Sequence, residues 1–378
     1  MSLPNRFDNT ETGAPVLNNV NGGGIAVMLA CLRDGFNVKA VTSITVAAGV
    51  ATVQCPAHGF ACGQAQLIKI TGASVPALNA DHQPTLVDAN NFSVPAVGVA
   101  DGSYTATDAR RAPLGWTEEF NNGLGTKSIF RRSAPDALAA MLRVDDSVGA
   151  SMMRVRAVDA ATGIDALTGL TPTDAQVNGG AYWQKGADSA TAKKWFIVGD
   201  SRGFFFGTQL GTNDRFVVYF FGDGVPYYPG DGGFTLLAAQ TNTSYTATPA
   251  WGLAAGTSQV GSPGVGNAIY APSGVLPGEA GSQYQAAVNP SGGVNVSGYN
   301  LFQNPVTYPN PVIHPVIHVL STGPCIRGQW PGLAYVFANS PFANLQVVDA
   351  GADRYLAVSI GVSGQNGQFA IKLSGGWY

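Results

Sequence analysis

Apolar and polar residues alternate in short bursts along much of this chain. Ser43–Val46 and Val50–Val53 are two such bursts, joined by Ala47-Ala48-Gly49, and they predict a β-hairpin. Gln66–Ile70, Thr85–Val87 and Asn91–Val94 read as further strands, with a turn at Asp88–Asn91, and Asp101–Thr107 closes the group. Five or six short strands in about 65 residues suffice for a small barrel or sandwich. Met152–Val158 alternates again, Lys193–Val198 and Phe204–Phe206 flank a turn at Asp200–Gly203, and late strands fall at Pro311–Leu320, Asn344–Val348, Tyr355–Ile360 and Phe369–Leu373. Arg215–Phe221 does not alternate: its run of aromatic and β-branched residues predicts a core strand. One helix is expected at Ile25–Leu32, where strong helix formers end at Asp34-Gly35, a glycine cap. Ser133-Ala-Pro-Asp136 fits a capping box and predicts a helical turn before Arg143.

The predicted fold is mainly β, a sandwich- or barrel-like main body with a small inserted β-module and an extended N-terminal arm. Residues 1–40 form the arm and short helix, 41–110 the module, and 111–378 the main body with long Gly/Ser-rich loops. Lys39 and Arg110 bracket the module.

Composition narrows the class. Hydrophobic residues make up 45% of the 378 and charged residues only 11%, which is less than half the usual quarter. A disordered chain needs the opposite balance. The net charge of −3 argues against nucleic acid as a partner. The polar start, Met1 to Thr10, is not a signal peptide, and Ile25–Leu32 is too short to span a bilayer. The expectation is synthesis and folding in the cytoplasm with no membrane span. Within residues 233–378 only Glu279, Arg327, Asp349, Asp353, Arg354 and Lys372 are charged. A free surface so poor in charge associates readily, so it is expected to be covered by other subunits.

No catalytic constellation emerges, and no cofactor is expected. Gly199-Asp200-Ser201 matches the nucleophile block of one esterase and lipase group, but that group pairs it with Asp-x-x-His, which this chain lacks. A hairpin turn is the better reading. Cys55, His58 and Cys62 resemble metal ligands without a fourth partner, so a hairpin loop with unrelated thiols is preferred, with a Cys55–Cys62 disulfide open only in an oxidising environment. His314 and His318 have the spacing of a helical zinc pair, but Pro309, Pro311 and Pro315 break a helix. In a strand the two lie about 13 Å apart, too far for one metal. Asp214, Asp223 and Asp231 lack calcium-loop spacing, and turn-forming Asp-Gly is preferred. Trp183, Trp195, Tyr219, Tyr227 and Tyr228 suit a sugar-binding platform, although such rings more often form core or subunit contacts.

Three stretches carry a resemblance. The first is Asn9-Thr-Glu-Thr-Gly-Ala-Pro-Val-Leu17 leading to Ala30–Gly35. The second runs from Ala112-Pro-Leu-Gly-Trp116 through Phe120, Gly125-Thr-Lys127, Phe130-Arg131 and Leu142–Asp146 to Arg154-Val-Arg156. The third is Gly180–Trp183, Trp195 and Val198–Arg202. Together they resemble a family of uncharacterised virion-associated structural proteins of tailed bacteriophages. The resemblance covers the arm and residues 112–235 and supplies no catalytic residues. Val41–Val46, Ala57–Phe60 and Ile70–Ala73 are similar to β-modules of phage head and tail proteins.

The resemblance and the composition imply a non-enzymatic virion component made of symmetric copies of itself. It would sit with other virion proteins on the head exterior, as a decoration or vertex protein, or on the tail. The arm, with Asn9, Thr10, Pro15, Val16 and Leu17, would reach over a neighbour. The rival expectation is a module that binds a host-surface glycan through its aromatic row.

Overall fold

Phe216–Asp223 is buried at every residue, and the reason is visible on its two faces. Val217, Tyr219 and Phe221 pack into one hydrophobic cluster, and Phe216, Val218 and Phe220 into another. A strand covered on both sides has no polar face, so its sequence runs apolar without alternation. The computed structural model describes residues 3–63, 65–147, 149, 151–186, 191–209, 214–228, 232–240, 267–270, 283–284, 295–296, 299–300, 312–314, 318–320, 326–337, 342–362 and 365–378. The expected strand Pro311–Leu320 is in part outside these residues, as are Asp231, Cys325 and most of the Gly/Ser-rich stretch.

The fold is mainly β, with 46% of residues in strands and 6% in helices. Antiparallel pairing links Thr117–Asn121, Lys127–Arg131, Met141–Asp145, Met152–Val158 and Ala181–Gln184 in that order. One pair, Tyr182 with Gln240, carries the sheet on to Thr235–Gln240, then Phe216–Asp223, Gly203–Gln209, Trp195–Gly199 and Asn5–Asp8. These strands curl into a half-barrel.

The helix lies in the concavity. It starts at Gly23 rather than Ile25, runs α-helically to Met28, and is π-wound over Leu29–Asp34. Ile25, Val27, Met28, Cys31 and Leu32 are all fully buried against Trp116, Met153, Trp183 and Phe206 among others. A Cβ on Gly24 would strike Met153 Sδ, so the backbone itself touches the sheet there. The N-terminus of this plug is held by Asp146, whose Oδ2 accepts from Gly24 N at 2.8 Å. Asp146 also pairs with Lys185, both side chains being fully buried.

On the convex side the central strands pack against a second layer, ordered Leu333–Phe337, Gln365–Lys372, Asp353–Val362 and Val347–Ala350, which joins the same sheet through the parallel pair Phe216 with Ile360. Leu356, Val358, Phe369 and Ile371 meet Phe205, Phe220 and Leu236 there.

Residues 41–109 hold a cluster of their own around Ile44, Val53, Ile68, Ile70 and Phe92. The hairpin Ser43–Ala47 with Val50–Gln54 forms as the alternation predicts, with Gly49 at φ +75° in the turn. Its neighbours are Asn91–Pro95 and Gly102–Tyr104. The chain enters through Phe36–Ala40 and leaves through Asp108–Arg111, and these two strands pair.

Two expectations need correction. Residues 133–140 form turns without a helix; the single bond Ala137 N to Ala134 O (3.0 Å) is not continued. The N-terminal segment does not reach away from its own chain. Asn5–Asp8 is a strand of the half-barrel, Phe7 and Leu17 are fully buried, and Lys193 N donates to Leu17 O at 2.8 Å. Its polar sequence hid a strand whose partner lies about 190 residues further on.

Candidate functional site

Gly199-Asp200-Ser201-Arg202 is a tight turn. Trp195–Gly199 pairs with Gly203–Gln209, and Asp200 N donates to Gly203 O at 2.9 Å. Asp200 Oδ1 accepts from Arg202 N (2.7 Å) and Gly203 N (3.1 Å), which is the local bond that makes Asp a turn residue. The turn forms one wall of a cleft of about 450 Å³, also lined by Ala134, Pro135, Asp136 and the C-terminal Trp377 and Tyr378. Burial pushes the Asp200 carboxyl up to about 6, against the lowering by its two amide donors and by Arg202.

Beneath the cleft lies a buried ionic cluster. Arg132 and Asp223 form an ion pair, each side chain 1% exposed. Arg132 also donates to Leu138 O (2.6 Å), Ala140 O (2.8 Å) and Thr235 Oγ1 (3.2 Å). Arg202 bridges outward, to Asp223 at 3.4 Å and Asp136 at 2.9 Å. Its guanidinium stacks over the Tyr378 ring at 4.0 Å, and Tyr378 Oη donates to Asp223 O at 3.0 Å. Burial, with Asp200 and Asp223 nearby, drives the Tyr378 phenol well above its ordinary value, so it keeps the proton it donates. The described lining includes no histidine or lysine to deprotonate Ser201. What this arrangement does is fasten the C-terminus to the half-barrel. Sequence reasoning missed Arg132 and Tyr378, because their common partner Asp223 is distant in the chain, and Asp136, which joins the cluster through Arg202.

The aromatic platform does not exist as one surface. Trp183, Trp195 and Tyr219 are fully buried. Trp183 stacks on Tyr219 at 5.6 Å and donates to Ala238 O; Tyr219 Oη accepts from Gln184 N at 2.9 Å. Only Tyr227 and Tyr228 are exposed. Inward-facing rings fill a half-barrel because no other side chain has the volume. The glycan-binding expectation loses its platform with them.

The arm residues are likewise used within the chain. Asn9 exchanges backbone and side-chain bonds with Trp195 N and O, Pro15 O accepts from Trp195 Nε1 at 3.0 Å, and Thr10 N donates to Asp8 Oδ1 at 2.9 Å. Val16 is exposed.

Cys55 and Cys62 are free thiols, and burial raises that of Cys55 to about 11. His58 uses both ring nitrogens on backbone: Nδ1 accepts from Phe60 N at 2.9 Å, so Nε2 donates to Asp88 O at 3.1 Å. Among the described residues no group of three His, Cys, Asp or Glu is placed to hold a metal ion. Val312–His314 and His318–Leu320 are not one strand; they pair with Leu333–Phe337 and Ile326–Gln329 in separate sheets, as a proline between them favours. Asp223 ends a strand and anchors an ion pair rather than serving a turn, and Asp214 pairs with Lys194 at the surface.

Among the described residues no helix is long and apolar enough to cross a membrane. No protein-family model matches the chain, and no curated protein matches it.

Proposed function

We propose that this chain is a non-enzymatic structural subunit of a tailed-phage virion, associating with copies of itself and with other virion proteins on the head exterior or the tail. The observation that carries the reading is the distribution of charge. Lys and Arg number 20 and Asp and Glu 23, yet only six of these lie in the 146 residues from 233 to 378. A surface built from such a segment lacks the charge that keeps proteins apart, and contact with other subunits removes that liability. The exposed apolar side chains Val50, Leu86, Val87 and Val97 on the small β-module add to it. The resemblance of the arm and residues 112–235 to virion-associated proteins of tailed phages supplies the setting.

The test is the mass of the full chain in solution by light scattering, across the micromolar range. A defined oligomer is expected. A monomer throughout overturns self-association. Antibodies against the chain are also expected to decorate particles of the phage that encodes it, and bare particles would remove the virion assignment.

A further inference from the structure

The outer face of the half-barrel carries a dense cluster of charge. Between the strands Met141–Asp145 and Met152–Val158 and the excursion 159–180 lies a cleft of about 480 Å³. Its charged lining is Arg143, Arg154 and Arg156 against Asp145 and Asp165. In the antiparallel register Arg143 stands directly opposite Arg156, a placement that costs stability unless an anion lies between or beside the pair.

The protein's own carboxylates answer this incompletely. Asp165 bonds Arg143 at 2.6 Å and Asp174 pairs with Arg156, but both carboxylates are about 60% exposed, and exposed partners contribute little; the buried Asp145 also reaches Arg143, at 3.3 Å, and is shared with Lys127 at 3.4 Å. Arg154 has no carboxylate partner among the described residues. It donates to the carbonyls of Gly179 (3.2 Å) and Asn178 and stacks over Tyr182 at 3.9 Å. Burial and the neighbouring Arg156 charge lower its pKa, against the raising by Asp145 and Asp174. Arg156 itself is 7% exposed, and its Nε is buried with no hydrogen-bond partner among the described residues. A buried charged donor left unpaired is costly.

We infer that this cleft binds a small ligand through an oxyanion, a carboxylate, phosphate or sulfate group, received by the guanidiniums of Arg143, Arg154 and Arg156. Its volume lies in the range of small-molecule sites. The planar guanidinium fork matches oxyanion geometry, which an ammonium does not.

That difference supplies the test. The full chain is titrated by calorimetry with sodium phosphate, sulfate and acetate separately, each against chloride at constant ionic strength. Saturable binding of one equivalent is expected for at least one of them. The preferred anion separates a tetrahedral group from a planar carboxylate. Arg156→Lys keeps the charge and removes the planar fork, and Arg154→Gln removes the half-buried cation; each is expected to weaken binding at least tenfold. Lys194→Gln, at a cation outside the cleft, is expected to leave it unchanged. No saturable binding of any anion overturns the inference, as does binding that Arg154→Gln and Arg156→Lys leave intact. If Arg156→Lys fails to fold by circular dichroism, Arg154→Gln decides alone.

Discussion

Asp200 is a carboxyl whose folded environment works against its charge. An unfolded Asp titrates near 3.9, and burial raises this one to about 6. Between those values the folded state binds more protons than the unfolded state, so this group's contribution to stability falls as pH rises from about 4 to about 6. Asn keeps the oxygen that accepts from Arg202 N and Gly203 N and removes the charge. Asp200→Asn is therefore expected to match the parent at pH 4 and to exceed it by up to about 3 kcal/mol at pH 7. Urea midpoints at the two pH values check this, and an equal difference at both would rule out desolvation as the cause. Arg132→Met is expected to go the other way, losing about 3–5 kcal/mol, because Asp223 then stays buried beside the weaker, more distant Arg202. None of this was legible in the sequence. Periodicity marks apolar faces, and a buried charge looks like any surface charge until its partner, 91 positions away for Arg132 and Asp223, is known. The same gap left Trp183, Trp195 and Tyr219 open between platform and core, and they are core: an aromatic residue reads alike as either.

Among the elements, Phe216–Asp223 offers the sharpest test of the layered body. Phe220 and Phe221 are adjacent and face opposite clusters, Phe220 toward the C-terminal sheet and Phe221 toward the plug helix. In a strand with one wet face, truncating only one of them would matter. Here Phe220→Ala and Phe221→Ala are each expected to cost about 3–5 kcal/mol, as emptied aromatic sites do. Denaturant titration of the two variants settles it; a loss below about 1 kcal/mol for either would mean that its face is not packed. This strand was legible as core because its apolar run lacks alternation, and the hairpin Ser43–Gln54 was legible because alternation and a glycine turn coincide. The helix was legible as an element, ending at Gly35 with φ +73°. Its burial inside the half-barrel was not, since a short apolar run carries no record of how many sides are covered. Asn5–Asp8 was missed for the converse reason: four residues with one large apolar side chain show no period.

For the molecule as a whole the question is what joins the small β-module to the body. The module has its own hydrophobic cluster, and a unit with its own core can unfold by itself. Arg111 stands at the junction with its side chain 1% exposed. It pairs with Glu11 and donates to Leu67 O, Arg6 O and Asn5 Oδ1, thereby touching the N-terminal strand, the turn after it and the module at once. Asn5 completes the joint by donating to Ala112 O at 2.6 Å and accepting from Leu67 N at 3.1 Å. With this joint intact, module and body are expected to melt together in one calorimetric transition. Arg111→Met leaves Glu11 without its cation and two carbonyls without their donor, while the module's own cluster is untouched. The transition is then expected to split, with the module melting first and the body retaining most of the enthalpy. A single transition merely shifted to lower temperature would mean that the Phe36–Ala40 and Asp108–Arg111 strand pair couples the two units without help from Arg111.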